Sequence, residues 1–306
     1  MLAKYGIFII FVILCVVAAI ASPVFLSLSN ILNVARQLVV VTVLACGMTM
    51  LIIAGMIDLS SGSVIALTGC VTAMVVVSTK SITLAIAAGI AVGALSGLVS
   101  GFIITRYNIP PFITTLGVMT AARGLALSIT NGKPVINIGP ITQIGTGYVG
   151  PIPVPILILI LILFCSWLIL NRTRFGRHLF AIGGNEEAAR ASGINIKLTK
   201  IVAFIISGVL TGLAGIILMA RVNSGQPAAA SGYEFDAITA AVVGGTSFTG
   251  GLGGIGGTLI GSMIVGVLNN IMNLINISSY NQQILKGVII VFAVILDVKT
   301  KSIKTK

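Results

Sequence analysis

The chain has 306 residues, of which 57% are hydrophobic and only 8% carry charged side chains. A water-soluble domain of this size cannot hide so much apolar surface, so the composition excludes an ordinary soluble protein. The net charge is +12, from 18 basic and 6 acidic residues. In a membrane protein such an excess is typical of loops beside an anionic leaflet. We therefore expect a lipid bilayer, and not nucleic acid, as the partner of these charges.

Apolar runs separated by turn residues predict an all-α polytopic membrane protein, because a lipid-exposed backbone must satisfy its own hydrogen bonds. We predict ten membrane segments, near residues 6–22, 36–56, 61–78, 83–105, 112–130, 153–171, 199–221, 236–248, 253–274 and 283–298. The segment 236–248 is too short to cross, which predicts a partial or broken helix. The first segment resembles a signal peptide, but the spans that follow favour an uncleaved first helix.

The basic residues predict the orientation of the spans. They cluster in the loop 172–200 and in the C-terminal tail after residue 298. Both regions are therefore expected in the cytoplasm, and an even number of spans places the N-terminus there too.

Two pairs of segments indicate an internal repeat. Residues 55–69 resemble residues 244–261 in composition, since each is a Gly/Ser/Thr-rich break followed by a predicted helix of small residues. Residues 97–112 can similarly be laid beside 266–281. Two halves of five spans each must have opposite orientations, so the pattern predicts inverted five-helix repeats.

A polar segment, RFGRHLFAIGGNEEAARASGI, stands out at residues 174–194 and holds the only histidine of the chain. Asn185 is a helix start signal, two glutamates follow it, and Gly193 is a stop signal. These residues predict a short helix at about 184–193, outside the membrane. The plainest interpretation is a solvated loop helix whose charges only set the orientation of the spans.

The same segment resembles the cytoplasmic coupling segment of ATP-binding-cassette (ABC) importer permeases, in particular the carbohydrate branch of ribose type. The pattern TRxGRxxxAxGGNxxAAxxSGI is matched from Thr173 to Ile194. Other matching stretches are GMIDLSSGS (55–63), TLGVMTAARGLA (115–126), TNGKPV (130–135), GYEFDAITAAVVGGTSFTGG (232–251) and SSYNQQILKGVIIVFAVILD (278–297). The resemblance covers essentially the whole chain and implies one permease domain, residues 1–306, whose cytoplasmic loop 172–200 holds the coupling helix.

The resemblance implies an importer in the bacterial cytoplasmic (inner) membrane, with two permease copies, most simply a homodimer. ABC ATPase subunits would bind ATP and Mg, so no cofactor is expected in this chain, and an extracytoplasmic sugar-binding protein would dock outside. Alternating access would then move a monosaccharide, ribose by overall similarity, and the chain would not be an enzyme. The residues expected to contact the ATPase are Arg174, Gly176, Arg177, Gly184, Asn185, Glu186, Ala188, Ala189, Ser192 and Gly193.

Two further sets of residues are candidates for the transport pathway and for the outer face. Asp58 could cap a broken helix or contact substrate, because a buried carboxylate in a membrane is costly. The glycine-rich stretch 244–257 lacks GxxxxGK[ST], so it favours helix kinks over phosphate binding. The pathway candidates are Asp58, Ser60, Ser61, Gly244, Gly245, Thr246 and Ser247. The candidates for docking the binding protein are Asn131, Gln226, Tyr233, Glu234 and Asp236. Arg123, inside an apolar span, is expected to be structural.

Other classes of protein were weighed against this one. An intramembrane hydrolase needs a nucleophile with a base or a set of metal ligands. His178 lies instead in the basic loop, and the four cysteines lack CxxC spacing. An ion-coupled secondary transporter fits broken helices equally well but does not need a coupling segment. An amino-acid ABC permease, or a permease for another sugar or a furanosyl signalling molecule, shares the architecture and differs only in ligand.

Overall fold

The computed structural model describes the backbone of residues 2–304, and this part of the chain is almost entirely helical. In chain order the helices are α1 (Leu2–Ala21), α2 (Leu28–Ile53), α3 (Ser61–Thr79), α4 (Ile82–Tyr107), α5 (Pro111–Ile129), α6 (Gln143–Thr146), α7 (Val154–Arg172), α8 (Arg174–Gly184), α9 (Glu186–Ala191), α10 (Ile196–Val222), α11 (Tyr233–Val243), α12 (Ile255–Leu274) and α13 (Ser279–Lys304). A 3-10 turn (Gly139–Thr142) and an antiparallel hairpin of β1 (Tyr148–Val149) and β2 (Ile152–Pro153) lie between α5 and α7.

The all-α polytopic architecture is confirmed, and each of the ten predicted segments overlaps one helix. Within the described residues, seven helices are long and apolar enough to cross a membrane: α2, α3, α4, α5, α7, α10 and α12. Helix α11 has 11 residues, which at about 1.5 Å per residue cannot cross the hydrocarbon layer. The prediction of a partial helix is therefore confirmed. The largest boundary error is at α2, which begins at Leu28 and not near residue 36.

Local side chains explain where several helices begin and end. Ser27, Ser81 and Asn195 each accept a hydrogen bond from the backbone N–H three residues further on, which caps α2, α4 and α10. Helix α5 begins at Pro111, whose fixed φ suits the first turn. Helix α4 ends at Asn108, which adopts the left-handed conformation that asparagine tolerates.

Helices α2 and α10 pack against each other at the centre of the bundle, and α4 packs along α10. The α4–α10 contact is very close: a Cβ atom built at Gly93 would overlap the carbonyl oxygen of Gly208, and one at Gly208 would overlap that of Gly93. Helices in lipid gain little from hydrophobic burial against each other, so small residues that allow close backbone approach supply the packing energy.

The packing of the second half repeats that of the first. Helix α3 packs against α10, and its counterpart α11 packs against α2. Helix α4 packs against α3 and α10, and its counterpart α12 packs against α11 and α2. Helix α5 packs against α3 as α13 packs against α11. The proposed match of residues 97–112 with 266–281 agrees with this pattern. The match of 55–69 with 244–261 is wrong, because the counterpart of α3 is α11 and not α12; shared glycine content had suggested the false pairing.

Candidate functional site

The short helix predicted at about 184–193 forms as α9, and a helix that was not predicted, α8, precedes it and meets it at Asn185. The Thr173 side chain caps α8 by accepting from the Gly176 backbone N–H at 3.2 Å. The Asn185 side chain caps α9 by accepting from the Ala188 backbone N–H at 2.9 Å. Gly193 follows with a φ of 82° and ends the segment. The start and stop signals at Asn185 and Gly193 are confirmed, and we call residues 174–193 the α8–α9 segment.

One face of the α8–α9 segment is buried in the protein. Leu179 belongs to the main core, and Ile182, Ala189 and Ile196 form a small cluster of their own. A Cβ atom at Gly176 would overlap the carbonyl oxygen of Leu170, so this glycine is needed for the close turn after α7. The expected contacts from Gly176 and Ala189 to an ATPase are therefore wrong, because both residues are buried within the chain.

The other face of the segment is exposed. It carries seven of the predicted residues: Arg174, Arg177, Gly184, Asn185, Ala188, Ser192 and Gly193. Glu186 lies at the edge, where its carboxylate pairs with Lys200 Nζ at 2.7 Å and with Arg190 at 3.4 Å. Exposed ion pairs contribute little stability. The pair with Lys200, which is only 18% exposed, instead fixes α9 against the start of α10.

A contact that the sequence did not predict joins this segment to the bundle. Gly183, in α8, lies so close to the carbonyl oxygen of Ile53 and the backbone nitrogen of Gly251 that no Cβ atom fits. The Gly251 N–H donates to the Ile53 carbonyl at 2.8 Å. We call these three residues the glycine junction. It brings α8, the end of α2 and the glycine-rich loop before α12 into backbone contact.

A cavity of about 1000 Å³ lies beside the glycine junction. Its walls come from the end of α2, from the α4–α5 turn around Asn108 and from the α8–α9 segment with the start of α10. Glu186, Arg190, Lys197 and Lys200 supply charged groups on one wall. The α8–α9 end of the bundle is therefore concave and charged, which suits contact with a folded partner.

The pathway candidates fall into two separate local groups. The Asp58 carboxylate accepts from the Ser60 backbone N–H at 2.8 Å and from the Ser60 hydroxyl at 2.6 Å, and all three serine and aspartate candidates are buried. Asp58 thus supports the break that precedes α3. Gly244, Thr246 and Ser247 are buried in the loop after α11, and Gly245 is exposed with a φ of 89°. Their part in a pathway stays a prediction.

The first turn of α11 carries two buried carboxylates. Asp236 accepts from Lys286 Nζ on α13 at 2.9 Å and from the Asn269 amide on α12 at 3.5 Å. Glu234 lies on the other side, against Gly62 at the start of α3. The two carboxylates are 6% and 4% exposed, for Glu234 and Asp236 respectively. Their assignment to an outer docking face is therefore wrong, because neither side chain can reach a partner protein.

Arg123 lies next to this turn and organises the loop before α11. Its guanidinium donates to the carbonyl oxygens of Pro227 and Ala229 at 2.7 and 2.9 Å. The expectation of a structural role agrees with these bonds. Sequence alone could not name the partners, because two of them are backbone oxygens more than a hundred residues away in the chain.

The remaining docking candidates lie at the end of the bundle opposite the α8–α9 segment. Asn131 and Gln226 are exposed, and Tyr233 is half-buried. The loops that carry the first two are joined by a two-way backbone bridge between Val135 and Gly225, with both bonds at 2.8 Å. The two loops therefore form one surface. Within the described residues, no group of three or more His, Cys, Asp or Glu side chains is placed to hold a metal ion.

The fold and these two ends define a helical membrane protein of the permease class. Residues 30–294 match the family model described as branched-chain amino acid transport system / permease component. The chain is 46% identical over 299 residues to the ribose import permease protein RbsC of Bacillus subtilis, covering 97% of this chain and 93% of the relative. It is also 42% identical over 296 residues to the L-arabinose transport system permease protein AraH of Escherichia coli K12, covering 96% and 90%. The chain therefore belongs to this family of transport permeases. No solved structure matches it significantly.

Proposed function

We propose that this chain is the permease subunit of an ABC importer that moves ribose into the cell. The observation that carries the proposal is the α8–α9 segment, which is anchored by the glycine junction and presents an exposed face. A permease driven by a separate ATPase needs such a surface, whereas an ion-coupled transporter does not. The substrate rests on the ribose import permeases, which are 43–46% identical over most of their length.

In this mechanism two copies of the chain form the pathway in the cytoplasmic (inner) membrane, with both termini and the α8–α9 segment in the cytoplasm. ATP and Mg bind to the partner ATPase, and this chain performs no catalysis. Closure of the ATPase subunits displaces α8. The glycine junction passes that displacement to α2 and to the loop before α12, because packed backbones without intervening side chains move together. A sugar-binding protein docks on the opposite surface, around Asn131 and Gln226.

An alternative candidate for the substrate is a pentose other than ribose, since the L-arabinose permease is nearly as similar. Amino acids are a third candidate, because the family model is described as a branched-chain amino acid transport system / permease component. The discriminating experiment reconstitutes the chain in proteoliposomes with its neighbouring ATPase and binding protein, and it measures uptake of radiolabelled D-ribose, L-arabinose and L-leucine. We expect D-ribose uptake that requires ATP, the ATPase and the binding protein together. Uptake driven by an ion gradient without the ATPase would overturn the proposal.

A further inference from the structure

A polar cleft lies between five helices, at the end of the bundle opposite the α8–α9 segment. Its volume is about 270 Å³. Its polar and charged side chains come from α2, α10, α11, α12 and α13. They are Gln37, Arg221, Asp236, Asn269, Asn273, Gln282 and Lys286. Polar and ionisable groups are rare within membrane-spanning bundles because they are costly there, so their concentration around one space indicates a function.

The floor of the cleft holds one ion pair, and Arg221 adds a positive charge to the lining. The Asp236 carboxylate, 4% exposed, is paired with Lys286 at 2.9 Å and accepts from Asn269. The two opposite charges therefore compensate each other before any ligand enters. Such a floor suits a neutral ligand, which can accept from the ammonium and donate to the carboxylate without leaving a net charge buried.

The walls carry amides with unused hydrogen-bonding groups. Gln282 donates from Nε2 to the Asn273 Oδ1 at 2.9 Å and to the Ile277 carbonyl at 2.8 Å. Among the bonds of the described residues, the Asn273 amide nitrogen and the Gln282 carbonyl oxygen are left over. A donor and an acceptor therefore project from neighbouring helices. Adjacent hydroxyls of a sugar, each of which both donates and accepts, match this arrangement.

The size of the cleft and its apolar surface restrict the class of ligand further. The volume is slightly below the range of about 300–1,000 Å³ typical of drug-sized ligands, so the cleft suits a single sugar ring and not a disaccharide. Tyr233 also lines the cleft and supplies an aromatic face for the C–H groups of a ring. Arg221 completes the lining where α10 approaches its end.

We propose that this cleft is a monosaccharide-binding site, occupied after the sugar enters the permease. The inference rests on the proposed function for the choice of sugar. It moves the substrate site away from Asp58 and residues 244–247, since none of these lines the cleft. Asp236, Lys286, Asn269, Asn273 and Gln282 are then substrate ligands, and the Asp236–Lys286 pair keeps the floor neutral when the site is empty.

The test measures how a sugar protects a cysteine placed in the cleft. The four native cysteines, which lie in α1, α2, α3 and α7 and do not line the cleft, are first replaced by alanine. Arg221→Cys and Gln37→Cys then report from two walls, on α10 and α2, and neither residue is one of the proposed ligands. Asn281→Cys, which is exposed and does not line the cleft, is the matched control. The full chain is placed in nanodiscs and labelled with a water-soluble maleimide in the presence of D-ribose, sucrose or L-leucine.

At about twice its Kd, D-ribose should slow labelling at both cleft positions about threefold, because protection follows 1 + [L]/Kd. Labelling at the control position should not change, and sucrose and L-leucine should protect neither cleft position. Absence of protection at both positions, in a chain that still supports ATP-dependent ribose uptake, would overturn the site and leave the proposed function intact. Protection by L-leucine in place of D-ribose would overturn the ligand class. Protection by D-ribose without ATP-dependent uptake would uphold the cleft and refute the proposed function.

Discussion

Asn30 and Asn270 exchange two amide hydrogen bonds, at 3.0 and 2.8 Å, across the buried contact between α2 and α12. Asn30 also donates to the Phe25 carbonyl at 2.9 Å. Both side chains are at least nine-tenths buried, so each amide depends on the other for its partner. Reciprocal amide bonds of this kind hold helices together in lipid, where hydrophobic burial between helices contributes little.

The first prediction follows from this pair. Asn30→Leu should destabilise the protein by about 1–2 kcal/mol, because it leaves the buried Asn270 amide without its partner. Asn30→Leu combined with Asn270→Leu should recover part of that loss, since no unpaired amide remains. Thermal unfolding in detergent measures both, with Asn33→Leu on the exposed face of α2 as the control. Strictly additive losses in the double variant would show that the two amides do not depend on each other.

The second prediction concerns the glycine junction. Gly183→Ala should destabilise the protein by about 1–3 kcal/mol, because the added methyl group forces α8 away from the Ile53 carbonyl. Gly256→Ala is the matched control, since a Cβ atom there meets nothing within 4 Å. Uptake normalised to folded protein should fall in the first variant and stay unchanged in the second. Equal uptake by both variants would remove the junction from the mechanism.

The third prediction separates the two faces of the α8–α9 segment. Ala188→Arg places a charge on the exposed face, so melting should stay unchanged while transport falls about tenfold, as expected for an interface cost near 1.4 kcal/mol. Ala189→Arg places the same charge in the cluster with Ile182 and Ile196 and should instead lower the Tm. Ser78→Arg, exposed at the other end of the bundle, is the control. Normal ATP-coupled transport by the Ala188→Arg variant would contradict the docking assignment.

The fourth prediction concerns Arg123. Arg123→Gln should cost about 2 kcal/mol, because two carbonyl oxygens of the loop before α11 lose a charged donor. Arg123→Lys should recover only part of this, since both bonds come from the terminal Nη1 and the shorter lysine side chain does not reach the same point. Thermal melting and the rate of proteolysis within residues 223–232 measure the two effects. Full recovery by lysine would mean that charge alone, and not the paired bonds, holds the loop.

The fifth prediction tests the orientation of the chain. In intact cells, a membrane-impermeant maleimide should label Asn131→Cys and should label Ser192→Cys only after the cells are permeabilised. Both residues are exposed, at opposite ends of the bundle. A cysteine-free background, with alanine at the four native positions, removes the signal from Cys165. Labelling of the Ser192→Cys variant in intact cells would reverse the orientation inferred from the basic residues.

Hydropathy placed each of its ten predicted segments on a helix, because each apolar run is long compared with the turns between them. It misplaced the start of α2, since Asn30, Asn33 and Arg36 read as a loop when their partners are not known. The pairing of Asn30 with Asn270 joins residues on α2 and α12, and no local pattern contains it. The inverted repeat was likewise matched wrongly at residues 55–69, where composition resembled α12 although the packing assigns α11.

Sequence located the α8–α9 segment because its charges contrast with an apolar chain, and cap residues gave the limits of α9. It could not separate the exposed Ala188 from the buried Ala189, since that distinction depends on Ile182 and Ile196 across a turn. It also assigned Glu234 and Asp236 to the outer face, because both were placed in the loop 222–236 that the family resemblance makes a docking surface. Lys286 on α13 pairs with Asp236, and Glu234 lies against Gly62 at the start of α3, so both contacts are made by other helices.

Helix α2 links the two ends of the molecule directly. It has 26 residues, about 39 Å at 1.5 Å per residue, and contains no proline that would kink it. One end lies in the glycine junction at Ile53, and residues Gln37 and Val41, in the first half and at the middle of the helix, line the polar cleft. Between them, Thr49 is hydrogen-bonded to Thr258 at 2.6 Å. Helix α2 is therefore one continuous helix that connects the glycine junction to the polar cleft, so a displacement of Ile53 would also be felt by the residues of α2 that line the cleft.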